Sequence, residues 1–150
     1  MHASSGQNYR SELELGYGLS MSQLVQIHTS FKSGVRHHQS SSVQALAARS
    51  AVSLGQVIFG ANSFGALLSA RSKGSAKAFP SPASPPPGVV DRLSVSAFTA
   101  RRYGVGQPGV AAIQLEVPWA PRSGNDALMR QYVTHLANAI ADFRYTWLQC

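Results

Sequence analysis

At 150 residues the chain is long enough to bury one real core, so we expect a single domain over residues 1–150 rather than two independent ones. Apolar residues make up 44% of the sequence, as in ordinary globular proteins, whereas charged residues make up only 13%, about half the usual quarter. The 13 Lys and Arg outnumber the 6 Asp and Glu, and a formal charge of +7 permits anionic partners without choosing among them.

The distribution of basic residues argues against a nucleic-acid binder. Such proteins more often concentrate arginines on one helix or interleave them with aromatics, whereas here the longest basic run is the Arg101-Arg102 pair. The single cysteine, Cys150, excludes an internal disulfide and a Cys-rich zinc motif. The chain opens without a secretory or transit pattern, and no apolar run approaches the roughly 20 residues of a membrane span. We therefore expect a soluble, cytoplasmic protein with no membrane partner.

The first predicted element is a short strand. Leu13 and Leu15 alternate with glutamates, and a Gly-Tyr-Gly turn signal follows at residues 16–18. We expect this strand to run into a loop that continues to Leu24. Residues 30–42 are polar and predict a second surface loop, which leads to a helix N-cap at one of the serines 40–42.

Three short helices are predicted between residues 43 and 71. The first is indicated by three apolar residues at helical spacing, Val43, Leu46 and Ala47. For the second, Ser53 and Gln56 have the spacing of a capping box, in which each side chain bonds the other's free backbone N–H. Gly60 is expected to end that helix. The third is marked by Phe64, Leu67 and Leu68.

Residues 72–90 are rich in proline and serine and predict a long loop. Five prolines between positions 80 and 87 exclude helix and interior strand there. A loop of this length inside a compact domain is either functional, such as a flap beside a cleft, or a linker. We favour a loop within one domain because neither flank is large enough to fold alone.

Two strands are predicted after that loop. Residues 93–99 alternate apolar with small or polar residues. Residues 110–117 alternate more cleanly, with Gln114 and Glu116 on the face opposite the apolar residues.

The last predicted element is a helix of about five turns. Ser123 and Asp126 resemble a capping pair at its start. Its apolar stripe comprises Met129, Tyr132, Val133, Leu136, Ala137, Ile140 and Phe143. Strands alternating with helices indicate an α/β fold, with a partial mixed sheet and flanking helices.

The residues best suited to chemistry are an arginine pair and a strand glutamate. Arg101 and Arg102 precede a glycine-rich turn, and a guanidinium binds a carboxylate through two parallel hydrogen bonds. Glu116 lies on the polar face of the next strand, where a carboxylate can act as general base toward a metal-bound water. Together they suit hydrolysis of an acidic amide substrate. Both features are more often parts of an ordinary solvated surface, and the spacing alone leaves that alternative open.

The histidines form no evident metal site. A catalytic zinc needs three protein ligands, whereas the adjacent His37 and His38 point in different directions on any regular element. His2 lies near the terminus, His28 stands alone, and His135 falls between apolar positions of the last predicted helix. We therefore expect no metal ligands and no cofactor in this chain.

A resemblance adds to these patterns. The stretch FTARRYGVGQPGVAAIQLEV, residues 98–117, resembles the N-formylglutamate amidohydrolase family. In that family an aromatic-Thr-Arg turn leads into a strand that ends in Gln-Leu/Ile-Glu. Three further segments resemble the family's uncharacterised branch, namely ELGYGLS at residues 14–20, SSVQALAARSAVSLGQVIFGANSFGALL from residue 41, and FPSPASPPPG from residue 79. The likeness spans about residues 5–147.

The resemblance implies a zinc hydrolase with the phosphorylase/hydrolase-like, zinc carboxypeptidase-like α/β fold, of which this chain corresponds to the C-terminal portion. Members cut an N-acyl amide from an acidic amino acid. By this resemblance Arg101 would grip the substrate carboxylate, with Arg102 and Tyr103 beside it. Glu116 would occupy the position of the catalytic or substrate-positioning glutamate. Tyr17 is a second pocket candidate on this ground alone, since a tyrosine beside glycines is most simply a turn or core aromatic.

The chain departs from the family at the metal ligands. The family's first ligands lie in a Pro-His-Gly-Gly segment and an acidic segment, and both precede the portion that corresponds to this chain. The third comes from an Asp-x-His-Gly-Gln motif, which corresponds to residues 4–7 with Ser5 in place of the histidine. A Gly-Gly pair is replaced by Ser96 and Ala97, which adds Cβ atoms where the backbone is expected to need positive φ.

We therefore expect a truncated or degenerate family member that is inactive as this chain. Two alternatives stay open. The family pocket could capture a small-molecule carboxylate through Arg101 without hydrolysing it. A completing polypeptide could also supply the rest of the domain, since half of an α/β sheet would expose a strand edge and an apolar face.

Overall fold

A small mixed sheet lies at the centre of the fold. The computed structural model describes residues 12–36, 39–86, 97–118 and 125–148. Its strands are β1 (Leu13–Gly16), β2 (Ala78–Phe79) and β3 (Gln114–Glu116), in the order β2-β1-β3. β2 pairs parallel to β1, and β3 pairs antiparallel to it. The predicted partial mixed sheet with flanking helices is confirmed at this level.

Six helices flank this sheet within the described ranges. They are α1 (Met21–Lys32), α2 (Gln44–Arg49), α3 (Leu54–Phe59), α4 (Phe64–Arg71), α5 (Phe98–Gly104) and α6 (Asp126–Leu148). The three short helices predicted between residues 43 and 71 are confirmed as α2, α3 and α4. The Ser53 half of the predicted capping box is confirmed, since the Ser53 hydroxyl accepts from the Gln56 N–H at 3.1 Å. The predicted end is confirmed as well, since Gly60 is the C-cap.

Helix α1 overlaps both predicted loops, so those predictions are wrong at residues 21–24 and 30–32. The helix is started by a capping box. The Ser20 hydroxyl accepts from the Gln23 N–H at 3.3 Å, and the Gln23 side chain accepts from the Ser20 N–H at 2.7 Å. The buried residues of α1, Leu24 and Ile27, pack against the core. Polar side chains along α1 interrupt the helical spacing of its apolar residues, so the spacing did not predict a helix. The capping box is a local sequence signal that could have predicted its start.

The serines before α2 are tertiary links rather than helix caps. The Ser41 hydroxyl donates to the Tyr17 carbonyl, and the Ser42 hydroxyl donates to the Ala112 carbonyl. The N-cap position is Val43, without a side-chain bond, so the predicted serine N-cap is wrong. These two hydroxyls connect the start of α2 to the turn after β1 and to the segment before β3.

The predicted loop at 72–90 contains strand β2, so the prediction is wrong at Ala78 and Phe79. These two residues pair with Leu13 and Glu14 of β1. Pro80 follows directly and cannot donate to a strand ladder, which limits β2 to the residues before it. Residues 87–90 of the predicted loop lie outside the described residues.

The second half of the chain departs from prediction at both expected strands. Phe98 and Thr99 open α5, so the strand predicted over 93–99 is wrong there, and residues 93–96 lie outside the described residues. β3 has three residues instead of the eight predicted at 110–117. Its alternation is as predicted, because Leu115 pairs with Leu15 on the apolar face.

Helix α6 is the predicted long helix, docked on α4 through aromatic side chains. Phe143 meets Phe64 edge-on at 5.7 Å between ring centroids and lies 6.3 Å from the Trp147 ring. The Trp147 indole donates to the Asn62 carbonyl at 2.9 Å. At the helix start the Asn125 side chain accepts from the Leu128 N–H, while Ser123, predicted to cap it, lies outside the described residues.

An ion pair also joins α4 to α6. Arg71 donates to both carboxylate oxygens of Asp142, and this hydrogen bonding holds the pKa of Asp142 below its ordinary value. A carboxyl whose pKa is lower in the folded state stabilises the fold at neutral pH, and that contribution is lost as the pH falls through the folded-state pKa.

We expect Asp142→Asn to lower the free energy of unfolding at neutral pH but not in strong acid. Urea unfolding at both pH values measures this, and an equal difference at both would contradict it.

Candidate functional site

Helix α5 carries three of the four residues singled out by sequence. Arg101, Arg102 and Tyr103 are consecutive, so their side chains leave the helix about 100° apart. All three are exposed, Tyr103 to 64%. The arginine pair lies on a helix that directly precedes the glycine-rich turn. Neither guanidinium has a hydrogen bond or ion pair to any residue that the structure describes.

Small residues position α5 against the turn that follows β1. A Cβ added to Gly16 would overlap the Ala97 Cβ, and one added to Gly18 would lie 2.7 Å from a methyl of Val105. Gly18 has a φ of 71°, a conformation that favours glycine. Ala97 has a φ of 35°, which confirms the expected positive φ there, while Ser96 lies outside the described residues. Two absent side chains thus allow the arginine-bearing helix to approach β1.

Glu116 lies on β3, exposed to solvent, and is bonded to its neighbour Gln114. The Gln114 amide nitrogen donates to Glu116 Oε1 at 3.1 Å, and the Gln114 amide oxygen accepts from the Thr99 N–H at 3.1 Å. Gln114 therefore connects the Glu116 carboxylate to the first turn of α5. One bridging side chain links the elements that bear Glu116 and Arg101. Gln114 was not recognised as a site residue, although its place two residues before Glu116 puts both on one strand face.

A second carboxylate lies opposite Glu116. Glu14 of β1 is its register partner, and directly opposed residues of an antiparallel pair share a face of the sheet. Glu14 is 8% exposed, whereas Glu116 is exposed. This juxtaposition was missed because it depends on strand register. The only sequence signal was the polar residue between Leu13 and Leu15.

A shallow cleft of about 280 Å³ lies at the C-terminal end of α5, between α2 and the turn at residues 104–110. Small residues dominate its wall, such as Ala45 and Ala48 of α2. Gln44 also lines it, and its buried amide oxygen has no hydrogen-bond partner among the described residues. None of the four predicted site residues lines this cleft. None of the described residues that line the cleft has an ionisable side chain, so these residues can accommodate an uncharged group but provide no acid or base.

The described residues do not fit the zinc ion that the resemblance implies. Among them no three His, Cys, Asp or Glu side chains converge on a common centre, and a catalytic zinc needs three protein ligands. His28 on α1 packs against Phe59 at 4.8 Å between ring centroids, and burial followed by the charge of Lys32 lowers the pKa of His28. His135 on α6 has a buried Nε2 that forms no hydrogen bond with the part of the chain that the structure describes. The remaining histidines, and Ser5, lie outside the described residues.

Tyr17, the other pocket candidate of the resemblance, is a core residue. Its side chain is fully buried, and burial raises the pKa of its hydroxyl above the ordinary value. No residue within the described ranges forms a hydrogen bond with the hydroxyl oxygen. Tyr17 is therefore a core aromatic, the simpler of the two interpretations, and is closed to solvent.

Of the helices within the described ranges, none combines the length and the apolarity needed to cross a bilayer. No protein-family model, no curated protein and no solved structure matches the chain. What indicates a function is the arginine pair on α5, together with Glu116 and the contacts that hold these residues in place.

Proposed function

We propose that the chain is a degenerate N-formylglutamate amidohydrolase-like protein that binds small carboxylates without hydrolysing them. The observation that carries this proposal is the exposure of Arg101 and Arg102 on α5, with neither guanidinium engaged by a described residue. A guanidinium fixed on a helix can bind a carboxylate through two parallel hydrogen bonds and needs no metal to do so. The resemblance of residues 98–117 supports the same class of ligand.

The absence of hydrolysis is inferred from the surroundings of Glu116. A general base has to reach the proton of an activated water, and in the family a zinc ion activates that water. Glu116 instead accepts a hydrogen bond from Gln114, and the described residues offer no set of ligands for the ion. Carboxylate recognition depends only on the arginines, so the chain can bind a carboxylate without being able to hydrolyse the amide.

Isothermal titration calorimetry with N-formylglutamate tests the binding. We expect saturable binding by the wild-type chain and at least a tenfold weaker affinity for Arg101→Ala, because a hydrogen-bonded charged contact contributes about 1.5–3 kcal/mol. Arg144→Ala is the matched control. It removes an exposed arginine from α6 and changes the net charge equally, so its affinity should stay near that of the wild type.

Equal, weak heats from all three proteins would contradict carboxylate binding at α5. The second half of the proposal has its own measurement. Elemental analysis should find less than one zinc per chain, and release of formate from N-formylglutamate should not exceed the buffer blank. Stoichiometric zinc that a chelator removes, with activity lost alongside it, would overturn the inferred loss of hydrolysis.

A further inference from the structure

Helix α6 carries an exposed stripe that the fold does not use. Val133 is 51% exposed and Ile140 is 39% exposed, with the small residue Ala137 between them. Arg130 and Arg144 continue the stripe at its two ends and are exposed as well. We call these five residues the basic seam. Their spacing alternates between three and four residues, which is the a/d spacing of helices that pack along a common axis.

The basic seam is distinct from the face that docks α6 on α4. The docking face is formed by four residues, Tyr132, Ala139, Phe143 and Trp147. At 100° per residue the seam spans an arc of about 80° around the helix axis. The centre of this arc lies about a quarter of a turn from the centre of the docking face. The apolar pattern of α6 is therefore wider than its contact with α4 requires. Single exposed apolar residues are ordinary on protein surfaces. Here the exposed apolar residues form one row with heptad spacing, and an arginine lies at each end of that row.

We propose that the basic seam docks an amphipathic helix of another protein, with apolar residues at its centre and acidic residues toward both ends. Val133 and Ile140 would pack between the partner's apolar side chains, and Ala137 would let the two helix backbones approach closely. Arg130 and Arg144 lie 14 positions apart, or about 21 Å along the helix axis. The acidic residues of the partner should therefore be separated by about four helical turns. This docking is independent of carboxylate binding at α5.

The charges of the seam favour an acidic partner over a second copy of this chain. In a parallel pair of α6 helices each arginine of the seam would face its own counterpart. In an antiparallel pair centred on Ala137, Arg130 would face Arg144 of the second copy. Like charges opposite each other disfavour both arrangements. Asp126 lies one turn before Arg130, but the described residues show no ion pair between them that would neutralise this end.

A synthetic peptide pair tests the seam on the full chain. The probe is a fluorescently labelled helix of about 21 residues, with leucine at a and d positions and glutamate where it meets the two arginines. By fluorescence anisotropy we expect saturable binding to the wild type. The charge-reversed variant Arg130→Glu/Arg144→Glu should bind at least tenfold more weakly. A peptide with lysine in place of those glutamates should restore the affinity of this variant.

Two further variants separate the seam from the rest of the helix. Val133→Asn/Ile140→Asn should lower the affinity at least tenfold. Gln131→Ala/Asn138→Ala alters exposed positions on another side of α6 and should leave the affinity unchanged. All of these side chains are exposed, and circular dichroism confirms that each variant is folded before it is titrated.

Three outcomes would overturn the proposal. The first is a failed peptide titration, in which either the wild-type chain shows no saturable binding or the charge-reversed variant binds the glutamate peptide as well as the wild type does. The second is a dimer in analytical ultracentrifugation that Ile140→Asn dissociates, which would assign the seam to a second copy. The third is tight binding to vesicles of phosphatidylcholine and phosphatidylserine that the peptide does not displace, which would assign it to an anionic membrane surface.

Discussion

Phe143→Ala is expected to lower the free energy of unfolding by about 3–5 kcal/mol, the usual cost of removing a buried aromatic side chain. Phe143 is 7% exposed and lies between the rings of Phe64 and Trp147, so its loss leaves a cavity where α6 meets α4. For a domain of this size that is a large part of the whole stability. Urea unfolding followed by circular dichroism measures the change.

Tyr145→Ala is the matched control for that variant. Tyr145 is an aromatic residue on the same helix, but it is 70% exposed, so we expect a change within about 0.5 kcal/mol. Equal destabilisation by the two variants would show that α6 is not docked through the Phe143 face. It would also remove the basis for treating the basic seam as the free side of the helix.

Gly16→Ala is expected to destabilise the fold by about 1–3 kcal/mol, as overpacking usually does. The new methyl group would overlap the Ala97 Cβ and would lie 3.3 Å from the Gln114 Cβ. Because Ala97 immediately precedes α5, the backbone shift that relieves this overlap moves the helix that carries Arg101. The affinity for N-formylglutamate should therefore fall together with the stability.

The reciprocal change offers a rescue. Ala97→Gly removes the methyl that Gly16→Ala would meet, and it relieves a positive φ that costs a non-glycine residue about 1–2 kcal/mol. We expect the double variant Gly16→Ala/Ala97→Gly to regain most of the wild-type stability and affinity in urea titration and calorimetry. A double variant as unstable as Gly16→Ala alone would contradict the contact between β1 and the start of α5.

The sequence indicated Arg101, Arg102 and Glu116 as candidate site residues, but it indicated neither their arrangement nor the neighbouring Gln114. Arg101, Arg102 and Glu116 stand out because their chemistry is visible in a residue list. Their relative placement depends on Gln114, which bridges Glu116 to the Thr99 N–H 15 residues earlier. No periodicity in the sequence encodes such a bridge, since it exists only after β3 and α5 have been brought together.

The sequence alone determined the features whose causes are local. The cap at Ser53, the end of α3 at Gly60 and the long helix α6 follow from hydrogen bonds and periodicity within a few residues. The capping box of α1 is equally local, so the start of that helix could also have been predicted from the sequence. These predictions are independent of the rest of the chain, because a helix satisfies its own backbone groups.

Only the tertiary structure decided which residues pair and which side chains are buried. Ala78 and Phe79 form a strand because β1 supplies hydrogen-bonding partners some 65 positions away, as the register shows. Within the α6 stripe Tyr132 and Phe143 are buried, because that side of the helix packs on the core, whereas Val133 of the same stripe is exposed. Strand pairing and burial are properties of a neighbour distant in sequence, and a local pattern shows only that a residue could be buried, not what will bury it.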